Sequence, residues 1–145
     1  MRGRPLARRT AAAARRGLHR AGLAADWATL LWEAVSLPTA HLADVAAALA
    51  AAGREDDARQ LLRQGVTRPG EDVAAAVTGQ RASRWGARAL VEVFVAVRSP
   101  EDTARFAACA PHRLVPEVLR AVRTAAPARE AAVVHALRVA GLVVT

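Results

Sequence analysis

The stretch ALAAAGREDDARQLL, residues 48–62, holds three kinds of signal in fifteen positions. An alanine-rich apolar run stops at Gly53. Three acids follow in a row, Glu55, Asp56 and Asp57, and then Leu61 and Leu62 open a new apolar face. Alanine and leucine head the helix-propensity ranking. Glycine is the residue that most readily takes the left-handed conformation just past a helix end. Acids in a first turn complement the positive end of the helix dipole. The stretch therefore predicts two helices joined by a short glycine turn, and its reading decides what the chain is.

Working outward, the same punctuation recurs. DWATLLWEAVSL from Asp26 carries Trp27, Leu30, Leu31, Ala34 and Val35 at helical spacing, with Asp26 placed to cap it. Pro38 ends that segment, and Thr39 is placed to cap the next. HLADVAAALAAAG puts Leu42, Val45, Ala46, Leu49 and Ala52 on one face. REDDARQLLRQG follows, closed by Gly65. Further helical segments begin at Pro69, after Ser83, where Gly86, Leu90, Val93, Phe94 and Val97 form the apolar stripe, and at Ser99-Pro100. Another lies after Pro111, with Pro116 read as near its true start, and the last follows Pro127, with Val134, Leu137 and Gly141 along its face. No alternating strand pattern is present outside the last four residues.

The expectation is an all-α fold of about eight short helices. Turns of two to five residues make consecutive helices antiparallel. They stack as helical hairpins in a short right-handed α-solenoid, with an irregular helical bundle as the alternative. Self-similarity supports the stack. DVAAALAAAG at Asp44 matches DVAAAVTGQR at Asp72, ARQLL at Ala58 matches ARALV at Ala87, and RPGED at Arg68 matches RSPED at Arg98. The last match repeats a helix-start device rather than a composition.

LADVAAALAAAGREDDARQLL resembles a tetratricopeptide or pentatricopeptide hairpin. A first helix ends in Ala-Ala-Gly, a charged turn follows, and the second helix has an Ala-x-x-Leu-Leu face. The resemblance covers residues 41–65 well and 72–97 weakly. It departs from the tetratricopeptide pattern in its aromatic positions and its period. It implies a protein-interaction scaffold. A pentatricopeptide would imply RNA, but no repeated pair of base-reading polar positions is present.

The glycine turn also raises a DNA-reading helix-turn-helix. There the N-terminal residues of the second helix face base edges and phosphates. Here those residues are Glu55, Asp56 and Asp57, which repel a polyanion, and Arg59 stands where an apolar side chain belongs.

Charge separates the chain into parts. All 21 basic residues other than histidine are arginine, and the net charge is +8. The arginine and alanine bias suits a GC-rich, bacterial gene. Residues 1–20 hold Arg2, Arg4, Arg8, Arg9, Arg15, Arg16 and Arg20 and no acid; the rest holds nearly balanced charges. Residues 1–22 are therefore read as a basic leader, poorly ordered or preceding the true start, and residues 23–145 as the helical-repeat domain. The leader has the look of a mitochondrial presequence, whereas the apolar stretch a twin-arginine signal needs is interrupted by charge. One cysteine, Cys109, precludes an internal disulfide, and no apolar run is long enough to span a membrane. These features point to the cytoplasm.

No catalytic constellation emerges. His19, His41, His112 and His135 are scattered. Cys109 and His112 have metal-like spacing, but no second pair completes four ligands. Cys109 is read as a small packed side chain and His135 as a core-edge histidine. Phosphate loops, dinucleotide fingerprints and nucleophile elbows are absent. The chain is read as a non-enzyme without cofactor or metal, a scaffold for a protein or peptide partner, with its oligomeric state open. Trp27, Trp32 and Trp85 are the candidate interaction anchors, with packing as the alternative. Arg8, Arg9, Arg15, Arg16 and Arg20 are the candidate phosphate contacts of a second reading, a nucleic-acid-associated regulator. The apolar end GLVVT raises a third, a piece of a larger protein, because solenoids need polar end caps.

Overall fold

The computed structural model describes residues 29, 31–34 and 36–144. The chain divides into two units, residues 1–36 and 37–145. In the first, Thr29 and residues 31–34 are helical; Leu31 and Ala34 are buried and Trp32 is 79% exposed. The expected boundary at residue 22 and the cap at Asp26 lie outside the described residues.

The second unit is all-α. Its helices are α1 (Thr39–Ala51), α2 (Glu55–Gly65), α3 (Gly70–Thr78), α4 (Arg84–Val97), α5 (Pro100–Ala108), α6 (Pro111–Ala125) and α7 (Glu130–Val139). A single 3₁₀ turn, Pro127–Arg129, leads into α7. Among the described residues there is no strand, and the apolar end 142–144 forms none.

The sequence punctuation explains most boundaries. Gly53 has φ +80°, and the turn after α1 closes with Gly53 N donating to Ala50 O and Arg54 N to Leu49 O. That is the Schellman pattern a left-handed glycine permits. Gly141, φ +74°, repeats it after α7, with Leu142 N donating to Leu137 O. Ser83 and Ser99 cap α4 and α5, their hydroxyls accepting from Gly86 N at 3.0 Å and Asp102 N at 3.1 Å.

Several expectations are corrected. Thr39 is the first residue of α1, not its cap; its buried hydroxyl accepts instead from Arg68 Nη1 at 3.0 Å. Pro116 lies inside α6, which Pro111 opens. Pro116 cannot donate to the His112 carbonyl. Both residues are exposed, so water can satisfy that carbonyl and the helix continues. Ala52 leaves the apolar face of α1 and is exposed, because the left-handed turn has begun. Cys109 is exposed at the end of α5, beyond the buried face of Thr103, Ala104, Phe106 and Ala107. His135 is also exposed, since α7 buries Val133, Ala136 and Leu137.

Packing follows an alternating rule. Helices α2, α4 and α6 touch in sequence as one row, and α1, α3, α5 and α7 as another. Between the rows lie Leu42, Leu62, Leu90, Phe94, Phe106, Leu114 and Leu137, all fully buried. Alanine and valine dominate this core, but its centre is aromatic. Phe94 and Phe106 stack with centroids 4.6 Å apart.

Three arginines hold successive turns together. Arg98, between α4 and α5, donates through Nη1 to Val66 O and Arg68 O, both at 2.9 Å, and stacks over Phe94. Arg129, before α7, donates to Ala96 O at 2.6 Å and Arg98 O at 2.8 Å. The carbonyls at 66 and 96 belong to the C-terminal ends of α2 and α4, where a cation complements the dipole. Arg68 makes the corresponding reach to Thr39. Donors and acceptors recur about 30 residues apart.

Candidate interaction surface

The surface is built on α4, and its first turn sets which face of that helix looks outward. Ser83 N donates to Asp44 Oδ1 at 2.7 Å, tying the start of α4 to α1. Gly86 is buried against α1 so closely that a Cβ there would lie 2.8 Å from Ala43 O. With Gly86, Leu90, Val91, Phe94 and Val95 turned inward, the opposite face shows Arg84, Trp85, Arg88 and Val97. Trp85 is 47% and Val97 51% exposed.

Beside that face runs an open groove of about 500 Å³. Glu55, Arg59, Leu62 and Arg63 of α2 form one wall. Trp85, Ala89, Val93, Ala96 and Val97 of α4 form its floor, and Thr124 and Ala125 of α6 close the far side. The floor is mainly aliphatic, with one indole at its end and one acid, Glu92, which is bound to Arg120. Rims of charge around an apolar strip are what a binding surface for a protein segment has.

Across α4 lies a second concavity, about 440 Å³, between the N-terminal halves of α4 and α6. Arg84, Arg88, Arg113 and Arg120 line it with a single acid, Glu117. Two of the arginines are fixed in place. Arg113 Nη1 donates to Thr78 O at 3.0 Å. Arg120 bonds Glu92 at 3.0 Å and Glu117 at 3.1 Å. Burial works against the Arg120 charge, but those two carboxylates outweigh it and raise its pKa. Arg84 and Arg88 pair with no acid among the described residues.

Of the residues singled out from sequence, Trp85 lines the groove. Trp32 is exposed in the first unit. Trp27 and Arg8, Arg9, Arg15, Arg16 and Arg20 lie outside the described residues. Arg84, Arg88 and Arg113 were not anticipated, and Val97, expected on the packed stripe of this helix, is exposed instead. The available signal was a pair of helix starts that carry arginine and no acid, RWGAR and PHR, where four of the other five helices of this unit start with acid and α1 with neither. The acids after Gly53 do face solvent: Glu55 and Asp56 are exposed, and Asp57 is bound to Arg54 at 2.7 Å.

Among the described residues, no three metal-ligating side chains cluster, and no helix is long and apolar enough to cross a membrane. No protein family, characterised protein or solved structure was found to match the chain.

Proposed function

We propose that the chain is a non-catalytic interaction module, a degenerate array of helical hairpins that holds a segment of a protein partner along the row α2, α4 and α6. The observation that carries this reading is the apolar groove ending in half-exposed Trp85, with exposed Val97 on its floor. A large indole beside an open aliphatic strip is a typical interface anchor. The array reading draws on the arginine contacts that recur about 30 residues apart, and on the two alternating rows, an arrangement that stacked helical hairpins would give.

The test is site-specific photo-cross-linking of the full chain in its native cells. A photoreactive residue at Val97 should give a discrete covalent adduct with a protein. The same residue at Glu101, exposed on the other row, should not. Equal labelling from both positions would remove the groove from consideration. A second reading, a nucleic-acid-associated regulator, rests on the seven arginines and no acid of residues 1–20. It is separable by truncation.

A further inference from the structure

The concavity between α4 and α6 is electrostatically anomalous. Helices α2, α3, α5 and α7 each carry acid in the first turn. Helices α1, α4 and α6 carry none, but only in α4 and α6 do arginines occupy those turns: Arg84 at the first position of α4 and Arg113 near the start of α6. Cations at a helix N-terminus oppose the dipole. Arg84 and Arg88 are also one turn apart on a single face, which disfavours the helix by like-charge repulsion. Both helix starts line the same concavity, so its lining of four arginines and one glutamate is reinforced by two positive helix ends. The one acid, Glu117, is already engaged by Arg120. Among the described residues, no hydrogen bond or ion pair engages the side chain of Arg84 or Arg88.

The neighbouring surface narrows the ligand. A shallow surface over α4, lined by Arg84, Trp85, Arg88, Ala89 and Glu92, runs between the basic concavity and the apolar groove, so the two are continuous across the exposed side of that helix. From Arg84 to Val97 that face is about 20 Å long, at 1.5 Å per residue. A single-stranded nucleic acid would lay charge evenly along it, whereas the groove balances Arg59 and Arg63 against Glu55 and Glu92 and is not basic along its length. It would also find one aromatic platform where such sites use several. The basic leader of this chain is repelled by the same arginines. A protein segment can place charge at one end only.

We propose that the groove takes an amphipathic protein segment with a carboxylate-rich end. Its apolar side chains lie on Trp85, Val93 and Val97, and its carboxylates lie over Arg84, Arg88 and Arg113. This rests on the groove being the interface, and it adds the chemistry and polarity of what is bound.

The test uses the full chain to select from a displayed library of random twelve-residue peptides, with Trp85→Ala and Arg84→Gln/Arg88→Gln variants in parallel. All three positions are exposed, so the variants keep the fold. Peptides enriched on the parent chain should combine apolar residues with acids clustered at one end. Their affinity should fall roughly tenfold in the Arg84→Gln/Arg88→Gln variant and by at least as much in Trp85→Ala. Peptides that depend on Trp85 but show no acidic end, or keep their affinity without the two arginines, overturn the proposal and leave the groove standing. No enrichment, or enrichment indifferent to Trp85, overturns both. If a fifteen-nucleotide single-stranded DNA loses affinity in the arginine variant while the peptides do not, the concavity belongs to nucleic acid and the proposal is wrong.

Discussion

Gly86 and Gly53 are glycines for different reasons, and substitution separates them. At Gly86 the backbone is ordinary helix, but an added Cβ would sit 2.8 Å from Ala43 O and 3.0 Å from Ser83 Oγ. Gly86→Ala therefore pushes α4 away from α1. The overpacking cost, about 1–3 kcal/mol, outweighs a helix-propensity gain of about 1 kcal/mol. At Gly53 nothing lies within 4 Å of a Cβ, but φ is +80°. Gly53→Ala there costs about 1–2 kcal/mol through backbone strain alone. Urea unfolding should show both losses, and only Gly86→Ala should also perturb Trp85 fluorescence, since only it moves α4. The role of Gly53 was legible in sequence because a glycine between an apolar run and a run of acids has few other readings. The role of Gly86 was legible only as a member of the apolar stripe. Its close approach depends on a helix 40 residues earlier in the chain. Cys109 and His135 were misplaced for a related reason: periodicity says which residues share a face, but near a helix end it does not say whether the face is covered.

At the scale of elements, the arginine contacts tie one hairpin to the next. Arg98 serves two backbone carbonyls, Asp102 and the face of Phe94 at once. A lysine has the charge without the planar fork. Arg98→Lys should therefore cost about 1–3 kcal/mol, read by thermal unfolding, because a carbonyl is left without its donor. A loss as small as that of an ordinary surface arginine would show that the clasp is incidental. Asp102 belongs to the same cluster. Hydrogen bonds from Arg105 and then Arg98 hold its carboxyl below the ordinary value of 3.8. A lowered folded pKa stabilises above the unfolded value, and that stability is lost as the pH falls through the folded value. Asp102→Asn should thus lower stability at neutral pH, and the gap from the parent should close below pH 3.8. The match between RPGED and RSPED made the helix starts visible from sequence, but not the arginine's reach. The third member, Arg129, sits in a different local sequence and was invisible to string matching. Arg84 makes the opposite prediction. Replacing it by glutamate places an acid at the start of α4 and next to Arg88 one turn on. Arg84→Glu should raise stability by about 0.3–1 kcal/mol. If the concavity binds a carboxylate-rich segment, the same change should abolish that binding. A stabler protein that has lost its ligand would show that α4 keeps its arginines for binding.

Across the whole molecule, charge and apolar surface are distributed in a way that assigns different ligands to different parts. Residues 1–20 carry seven arginines without an acid, while the other 125 residues hold 14 arginines against 13 acids. Non-specific binding to a polyanion scales with the number of phosphates neutralised, so it should reside in residues 1–22. Recognition of an amphipathic segment depends on the fixed geometry of α2, α4 and α6, so it should reside in the second unit. A chain beginning at Leu23 separates the two. Its affinity for a single-stranded oligonucleotide should fall, and the slope of log K against log salt should shrink by up to about 5, at roughly 0.7 per lost phosphate contact. Its affinity for a groove-selected peptide should stay within about twofold, because the groove residues all lie beyond residue 49. The all-α class and most helix boundaries could be read from the sequence because each rests on local rules of capping, period and breaking. The binding surface could not, because it is made where α2, α4 and α6 meet, and only Trp85 announced itself. An unchanged salt slope in the truncated chain would mean that the arginines around α4 and α6, rather than the leader, meet phosphate. That result would argue for nucleic acid at the very surface assigned here to a protein partner.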